Sequence, residues 1–403
     1  MPTLLQINVT ANSGSHGKIA EEIGQLALNK GWRSVIAYGR WCQPSNSELL
    51  RVGNDIDVKE HAIESRLLDN HGLASRCATK SFVQRIKEIK PDIIHLHNIH
   101  GYFLNYRILF DYLGKVDIPV VWTLHDCWSM TGHCVHFESV GCDKWLTGCH
   151  DCKYYGTYPS SLFRDNSKQN YYLKKYYFTL PRNLTIVPVC HWLDNIVKES
   201  FLSKYPTRVI HNGIDLSVFS TQSVSPTQNE KFTILGVASN WKYDKGKAEF
   251  SKLSENESYR VIMVGVSDDI KKELPPTIQC VRRTSNVEEL IKLYSMADVL
   301  VNPTQNDTYP TVNLEAIACG TPVITYKTGG SPEAVNEETG IVVERGDYEG
   351  LVKAIESIRN KTYENREIQR IKCRERAEQF FDKNICYEQY LKLYQEILSE
   401  RNR

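Results

Sequence analysis

The segment Asn302-Pro-Thr-Gln-Asn-Asp307-Thr-Tyr-Pro-Thr311-Val-Asn-Leu-Glu315-Ala-Ile-Ala-Cys-Gly320-Thr-Pro322 sets a carboxylate on either side of a helix start. Residues 299–301 and 323–325 read as short buried strands, and Gly320 with Pro322 stops the helix between them. Such a helix points its unpaired N–H groups and the positive end of its dipole above the sheet, which favours a phosphate. Glu315, in the first turn, can accept hydrogen bonds from a pair of sugar hydroxyls. The chemistry this pattern predicts is capture of an anionic ligand that carries a ribose.

Other groups extend the pattern. Lys245-Gly246, just after a strand expected at 232–237, can set a point charge against a departing diphosphate. A solvated loop is the plainer reading, and a lysine alone does not decide. In Gly329-Gly330-Ser331-Pro332-Glu333, Ser331 suits an N-cap and Pro332 the first helical position, and the glycines permit close approach of a ligand. Gly14-Ser-His-Gly17 sits at a strand-to-helix turn, where a phosphate loop and a plain tight turn read equally well. Its match to a dinucleotide loop is too loose. Val121-Trp-Thr-Leu-His125-Asp126 puts His125 at the C-terminal edge of a parallel strand, where ligands of α/β sheets gather. Two more histidines end another strand of this half; His97 is expected to face the cleft and His95 the core.

Four of the twelve cysteines, Cys134, Cys142, Cys149 and Cys152, fall within nineteen residues, and the last two are separated by a two-residue gap. This spacing suits a closed, structural four-thiolate zinc site. The alternatives are four reduced thiols or a disulfide pair, with His133, His136 and His150 as substitute ligands. The loop has little apolar content, so a metal could replace a missing core.

These groups need a scaffold, and the chain alternates strand and helix almost throughout, which predicts α/β domains with parallel sheets. Strands are expected at 4–9, 34–38, 93–96, 120–124, 185–189 and 208–210, then at 232–237, 261–264, 278–281, 299–301, 323–325 and 341–343. Helices are expected after Gly17, where Ile19, Ala20, Ile23, Leu26 and Ala27 share a face, and at 82–90, 104–116, 287–296 and 351–358. The polar run 220–230 marks a junction, and 385–398 reads as a terminal helix packed across it. The 403 residues are enough for two or three domains. With 49 basic against 48 acidic residues the net charge is +1, which gives no argument for nucleic acid. The N-terminal run lacks a signal-peptide pattern and no apolar run reaches membrane-spanning length, so a cytoplasmic protein with reduced thiols is expected. Residues 168–178 mix lysines and aromatics at helical spacing. An amphipathic helix on the first domain is favoured over a bilayer-resting one, leaving at most weak, peripheral contact with the inner face of the cell membrane.

In order, Gly14-Ser-His-Gly17, His125-Asp126, Asn212-Gly213-Ile-Asp215, Lys245-Gly246, Asp307 through Glu315 and Gly329-Gly330 resemble the retaining nucleotide-sugar glycosyltransferases of family four. Within that family the look is of enzymes that build capsular, exopolysaccharide (colanic-acid-type) or lipopolysaccharide chains. The resemblance implies an α/β GT-B fold, two Rossmann-like domains with parallel sheets facing a central cleft. Residues 1–218 would form the acceptor-side domain with a cysteine-rich insertion near 130–155, 219–382 the donor domain, and 383–403 the closing helix. It implies metal-independent catalysis by His125, Asp307 and Lys245, with no cofactor beyond the nucleotide-sugar donor. Gly14, Gly17, Asn240, Lys242, Lys245, Arg283, Thr311, Val312, Asn313 and Glu315 would hold that donor. Glu315 would take the ribose, the amides near Val312 and Asn313 the phosphates, and Arg283 the base. His97 and Asp126 would face the acceptor, a lipid-linked or oligosaccharide glycan. Two departures stand out: Asp307 replaces the family's first glutamate, and Asn240 an arginine five residues before the lysine. Either Lys242 supplies that charge or the phosphates are held differently.

Two rivals are weaker. A nucleotide-sugar 2-epimerase of the same architecture needs acid/base residues for elimination, and no constellation here supplies them. A non-catalytic sugar-nucleotide or zinc-binding module leaves the joint presence of His125, Lys245, Asp307 and Glu315 unexplained.

Overall fold

Leu4, Leu5 and Ile7 lie on one strand yet are all shut off from solvent, as happens only in a sheet covered on both faces. The computed structural model describes residues 1–222, 231–241 and 244–401. It divides the chain into two compact units, Met1–His211 with Tyr387–Arg403, and Asn212–Cys386.

In the first unit, β1 (Thr3–Asn8), β2 (Arg33–Tyr38), β3 (Glu48–Arg51), β4 (Ile93–Leu96), β5 (Val120–Leu124) and β6 (Leu184–Pro188) form one sheet in the order β3-β2-β1-β4-β5-β6. All its pairings are parallel. The order reverses between β1 and β4, and at such a switch point the C-terminal strand ends leave room for a ligand. Register pairs Ile7 with Leu96 and Leu96 with Trp122, so Asn8, His97 and the residues ending β5 reach the same edge.

The second unit repeats the plan. The strands β7 (Phe232–Val237), β8 (Tyr259–Val264), β9 (Gln279–Val281), β10 (Val299–Asn302), β11 (Val323–Tyr326) and β12 (Gly340–Val343) run parallel in the order β12-β11-β10-β7-β8-β9. Ile234, Met263, Val299, Val301 and Ile324 form its core with Phe250, Leu351 and Ile355 from the covering helices. The helix Thr311–Ala318 follows β10, beside the switch point between β10 and β7.

Several elements depart from expectation. β3 was not anticipated because it is an edge strand with only Leu50 partly covered, so no buried alternation marks it. Residues 208–210, expected as a strand, are an extended segment tied to β6 by Arg208 N–H to Ile186 O (3.0 Å) and Ile210 N–H to Pro188 O (3.2 Å). Pro188 and Pro206 bring no N–H of their own, which prevents a full ladder. The helices Asp55–Leu68 and Tyr363–Phe380 escape a periodicity search because their buried faces are narrow and polar: His61 and Ser65 on one, Gln369, Cys373 and Ala377 on the other. Among the described residues no helix is long and apolar enough to cross a membrane.

The terminal helix Lys383–Arg401 starts in the second unit and from Tyr387 belongs to the first. There it completes a buried polar seam. Thr123 Oγ1 donates to Tyr390 Oη (3.0 Å), so His95 Nε2 donates to Thr123 (2.8 Å) and His95 Nδ1 accepts from Tyr394 Oη (2.7 Å). Both nitrogens of His95 are satisfied within the core, as expected for that residue.

Candidate active site

In the second unit the site grows from the loop between β10 and the helix Thr311–Ala318. The residue capping that helix is Pro310, whose side chain has no acceptor, so the first amides have no side-chain cap. A proline there fixes the chain direction and leaves those donors to an outside acceptor. Asn302, ending β10, donates from Nδ2 to Asn313 Oδ1 (2.8 Å). Asn313 is fully buried, and its own Nδ2 has no partner among the described residues. A buried, unsatisfied amide costs about 1–3 kcal/mol, which a bound anion or water would recover. Thr328 Oγ1 and Ser331 Oγ are likewise buried without partners among the described residues, on a loop tied to this one by Gly330 N–H to Thr308 O (2.8 Å).

Two carboxylates stand near the helix start, each paired with a donor; Asp307 precedes it, and Glu315, expected in the first turn, lies beyond that turn because the helix begins only at Thr311. Lys245 Nζ lies 2.6 Å from Asp307 Oδ2 and donates to Thr304 Oγ1 (3.2 Å) and Asn306 O (3.4 Å). The lysine is held by Gly246, whose φ is +82° and whose Cβ position would fall 2.2 Å from Pro303 Cγ, so only glycine fits. Asp244 steadies the same loop by accepting from Asn306 Nδ2 at 2.7 Å. On the other side, Tyr294 Oη donates to Glu315 Oε2 at 2.8 Å. Burial, and then the Glu315 carboxylate, hold the Tyr294 phenol well above its usual value, so it stays a donor.

In the first unit a second constellation occupies the edge formed by β1, β4 and β5. Gln6 Nε2 donates to Ala20 O (2.7 Å), which turns Gln6 Oε1 toward His97 Nε2 (3.0 Å) and makes that nitrogen a donor. His97 Nδ1 must then accept, and His125 Nε2 donates to it at 3.3 Å. Neutral His125 is left with its lone pair on Nδ1. Burial, then His97 and His16, push the His125 pKa well below normal, so the ring is neutral at pH 7. His16 Nδ1 contacts Asn8 Oδ1 at 3.1 Å, and burial foremost lowers its pKa to about 4. Asp126 accepts from His100 Nε2 (2.8 Å) and Trp128 N–H (2.9 Å). Burial opposes its charge, but His100 outweighs it and keeps the carboxyl ionised.

Of the sequence-derived residues, Lys245, Asp307, Thr311, Val312, Asn313 and Glu315 gather in one unit, and Gly14, Gly17, His97, His125 and Asp126 in the other. Gly14 opens the helix Gly14–Asn29 with φ +68°, and a Cβ on Gly17 would meet Thr10 Oγ1 at 2.5 Å. Some details differ from expectation. His97 is 1% exposed and braces His125 from behind instead of facing outward. The Asn313 amide is taken by Pro310 O at 3.2 Å, so this residue offers its side-chain NH2, and Thr311 and Val312 the backbone donors. Ser331 is no N-cap: Gly330 holds that place before the short 3-10 turn Ser331–Ala334. Asn240 and Arg283 are exposed in the loops after β7 and β9, and Lys242 lies outside the described residues. Tyr294, Asn302, Thr304, Gln6 and His100 were missed. Asn302 and Gln6 carried the one available signal, a polar side chain after an apolar run in one case and between Leu5 and Ile7 in the other.

Two family models match the chain: Glycosyltransferase Family 4 over residues 18–218 and Glycosyl transferases group 1 over residues 241–361. WcaC of Escherichia coli (strain K12), named as a colanic acid biosynthesis glycosyl transferase, is 28% identical over 87% of this chain and 89% of its own. Among solved structures, sucrose-phosphate synthase from Thermosynechococcus elongatus superposes with a TM-score of 0.72 at 16% identity, covering 99% of this chain and 100% of its own. Anabaena HepE, crystallised with UDP and glucose, gives 0.67 at 14% identity, covering 98% and 100%. The α/β fold of two parallel six-stranded sheets is thus the GT-B fold.

Proposed function

We propose that this chain, which belongs to the family 4 glycosyltransferases, moves a hexosyl group with retention from a nucleotide sugar to a growing cell-surface glycan. The observation that carries this reading is the pair of ion-and-hydroxyl clamps, Lys245–Asp307 and Tyr294–Glu315, on either side of an uncapped helix start. Glu315, fixed by Tyr294, accepts from the ribose hydroxyls. The Thr311 and Val312 amides and the Asn313 side chain take the diphosphate. Lys245, positioned by Asp307, stabilises the charge that grows on the departing diphosphate without a metal ion. The C1–O bond to that phosphate breaks while the acceptor oxygen approaches from the same face, and the leaving phosphate oxygen takes the acceptor's proton. A covalent double displacement is not assigned, because each acid of these motifs among the described residues already serves another partner: Asp126 accepts from His100 and Trp128, Asp307 pairs with Lys245 and Glu315 accepts from Tyr294. His125 uses its bare Nδ1 to accept from a hydroxyl of the transferred sugar. Polysaccharide assembly follows the name of WcaC, with a lipid-linked or oligosaccharide acceptor. The setting is cytoplasmic, with weak peripheral membrane contact through the exposed Tyr172 and Tyr176.

Incubation with a panel of nucleotide sugars tests this. Slow release of nucleotide, with the first-formed free sugar keeping the donor's anomeric configuration by NMR, is the expected result. Inverted sugar would overturn retention; epimerised donor, or binding without turnover, would overturn transfer.

A further inference from the structure

Between β5 and the helix Ser167–Phe178 the first unit carries a long excursion whose regular pieces are the 3-10 turns Glu138–Val140 and Lys144–Leu146. Among the described residues no three of its cysteines Cys134, Cys142, Cys149 and Cys152 bring their sulfurs within 4.8 Å of one another. Its last stretch is tied down by the backbone instead. Leu162 N–H donates to Arg66 O (2.8 Å) and Ser161 N–H to Tyr155 O (2.7 Å), and the residue held between these points is Tyr158.

Tyr158 Oη lies 3.1 Å from His100 Nδ1, and His100 Nε2 lies 2.8 Å from Asp126 Oδ2. The carboxylate sets the sense of both bonds. Ionised Asp126 only accepts, so the His100 proton sits on Nε2, and in the neutral ring Nδ1 is left to accept from the Tyr158 hydroxyl. Burial, then Tyr102 and Asp126, hold that phenol well above its usual value, so it has a proton to give. With that proton committed, Tyr158 Oη offers only lone pairs to a further partner. The side chains of Asp126 and His100 are 15% and 8% exposed, whereas Tyr158 is 43% exposed. The relay therefore ends outward in a hydrogen-bond acceptor. Asp126, expected to face the acceptor itself, reaches outward only through it.

Aromatic rings surround this end. Tyr102 and His71 pack edge-on against Tyr158, with ring centres 6.1 and 5.6 Å away. Gly101 N–H donates to His71 Nε2 (3.3 Å), so His71 carries its proton on Nδ1, which is buried and has no partner among the described residues. Tyr102 lies 6.0 Å from the Arg40 guanidinium, which covers one face of Trp41 at 4.0 Å. The Trp41 carbonyl accepts from Ala11 N–H (3.0 Å), which fixes its backbone, yet the residue is 59% exposed. These rings follow the C-terminal ends of β2 and β4, and Asp126 follows β5, the edge where ligands of α/β sheets gather. Exposed aromatic surface beside a hydrogen-bonding group of fixed sense suits a sugar, which has apolar ring faces and outward hydroxyls.

We infer that Tyr158, oriented through His100 by Asp126, accepts a hydrogen bond from a hydroxyl of the acceptor sugar, whose ring lies against Trp41. The inference rests on glycosyl transfer as the activity and adds to it the residues that recognise the acceptor. Lys245 and Glu315, which take the nucleotide, belong to the other unit, so donor and acceptor are held by separate sets of residues. Tyr158 touches the substrate, and His100 acts through it as a positioning residue. No proton crosses the relay; the acceptor's proton still leaves on the departing phosphate.

The test uses the full chain, the nucleotide sugar it turns over and a panel of octyl glycosides as acceptors, with the product read by mass spectrometry. For the best glycoside, Tyr158→Phe should raise the acceptor KM about tenfold while nucleotide Kd stays within about twofold. Tyr155→Phe, an exposed neighbour outside the relay, should change neither. One monodeoxy form of that glycoside should serve the unaltered chain about tenfold less well than the parent, and Tyr158→Phe should treat the two alike. A purely structural role for the hydroxyl would not move that selectivity. His100→Gln offers one amide that donates to Asp126 and accepts from Tyr158, so it should keep most of the acceptor affinity that His100→Leu loses. Where His100→Leu does not fold, Tyr158→Phe and the deoxy series decide. Trp41→Ala should raise the same KM by up to about tenfold and leave the deoxy selectivity in place. An unchanged acceptor KM in Tyr158→Phe, or the same deoxy selectivity in both chains, would overturn the inference and leave glycosyl transfer standing. Failure to turn over any nucleotide sugar would count against transfer itself; glycoside Kd values from saturation-transfer NMR would then decide the subsite by the same comparison.

Discussion

Glu315→Gln tests the ribose clamp by changing a single atom. Tyr294 Oη donates to Glu315 Oε2 at 2.8 Å, and Tyr294 is fully buried, so its donor role survives the substitution. A glutamine keeps that bond only by turning its carbonyl oxygen to Tyr294. Its NH2 then occupies the place of the other carboxylate oxygen, where the ribose needs an acceptor. The loss is a charge-assisted hydrogen bond, about 1.5–3 kcal/mol, or a nucleotide Kd weaker by roughly 10- to 150-fold. Isothermal titration with whichever of the uridine, guanosine, adenosine or thymidine diphosphates binds the unaltered chain measures it. The same nucleotide lacking both ribose hydroxyls should bind the unaltered chain about as poorly, and Glu315→Gln should discriminate little between the two. Tyr294→Phe keeps the charge but releases the carboxylate, so its penalty should be smaller, about 0.5–1.5 kcal/mol. Equal affinity of the unaltered chain for ribose and dideoxyribose forms would refute the clamp, as would a folded Glu315→Gln protein with unchanged Kd.

Lys245→Met should lower kcat by about 10²–10³ and Asp307→Asn by less, because the asparagine still bonds the ammonium; steady-state kinetics with saturating donor read both. His125→Ala should cut turnover by about 10²-fold or more while leaving nucleotide Kd within about twofold, since its contact is with the sugar. The protein should be acid-labile: His61, His71, His95 and His97 are buried with pKa values pushed down chiefly by burial, to about 4 for His61. The unfolded chain protonates them near 6.5 and the folded chain does not, so stability is full above that pH and declines as pH falls. At pH 5 His61, with its pKa lowered to about 4, contributes a loss of roughly 2 kcal/mol and the other three add to it in the same direction, visible as a lower urea midpoint than at pH 7.5.

What the sequence made legible follows from burial. The helix Val287–Met296 and the strands β5 and β7 fall where expected, because the helix repeats its apolar residues at one period and each strand is a short, nearly continuous apolar run. Where burial is one-sided or borrowed, the pattern fades. β3 lies at an edge, and the helix Tyr363–Phe380 carries exposed Ile368 and Ile371 beside buried Gln369. Such elements are held by neighbours distant in sequence, and no local window contains them.

The site divides along the same line. Lys245, Asp307, Asn313 and Glu315 were legible because they themselves sit on or directly after the βα loops that parallel sheets bring to one edge, whatever their partners. The bracing of His125 was not, because it runs through three strands and a helix: Ala20 O orients Gln6, Gln6 sets the tautomer of His97, and His97 sets that of His125. Each link is a choice between two equivalent-looking nitrogens that only the assembled neighbours resolve. Gln6→Leu therefore isolates the effect. It removes the acceptor at His97 Nε2, so His97 can carry its proton on Nδ1 and no longer accept from His125. Turnover should fall about tenfold with nucleotide Kd unchanged, although Gln6 touches no substrate. The ¹⁵N shifts of His125 should show its two neutral tautomers mixed where the unaltered chain shows protonation at Nε2 alone. Unaltered shifts in the variant would break the chain of inference at its first link.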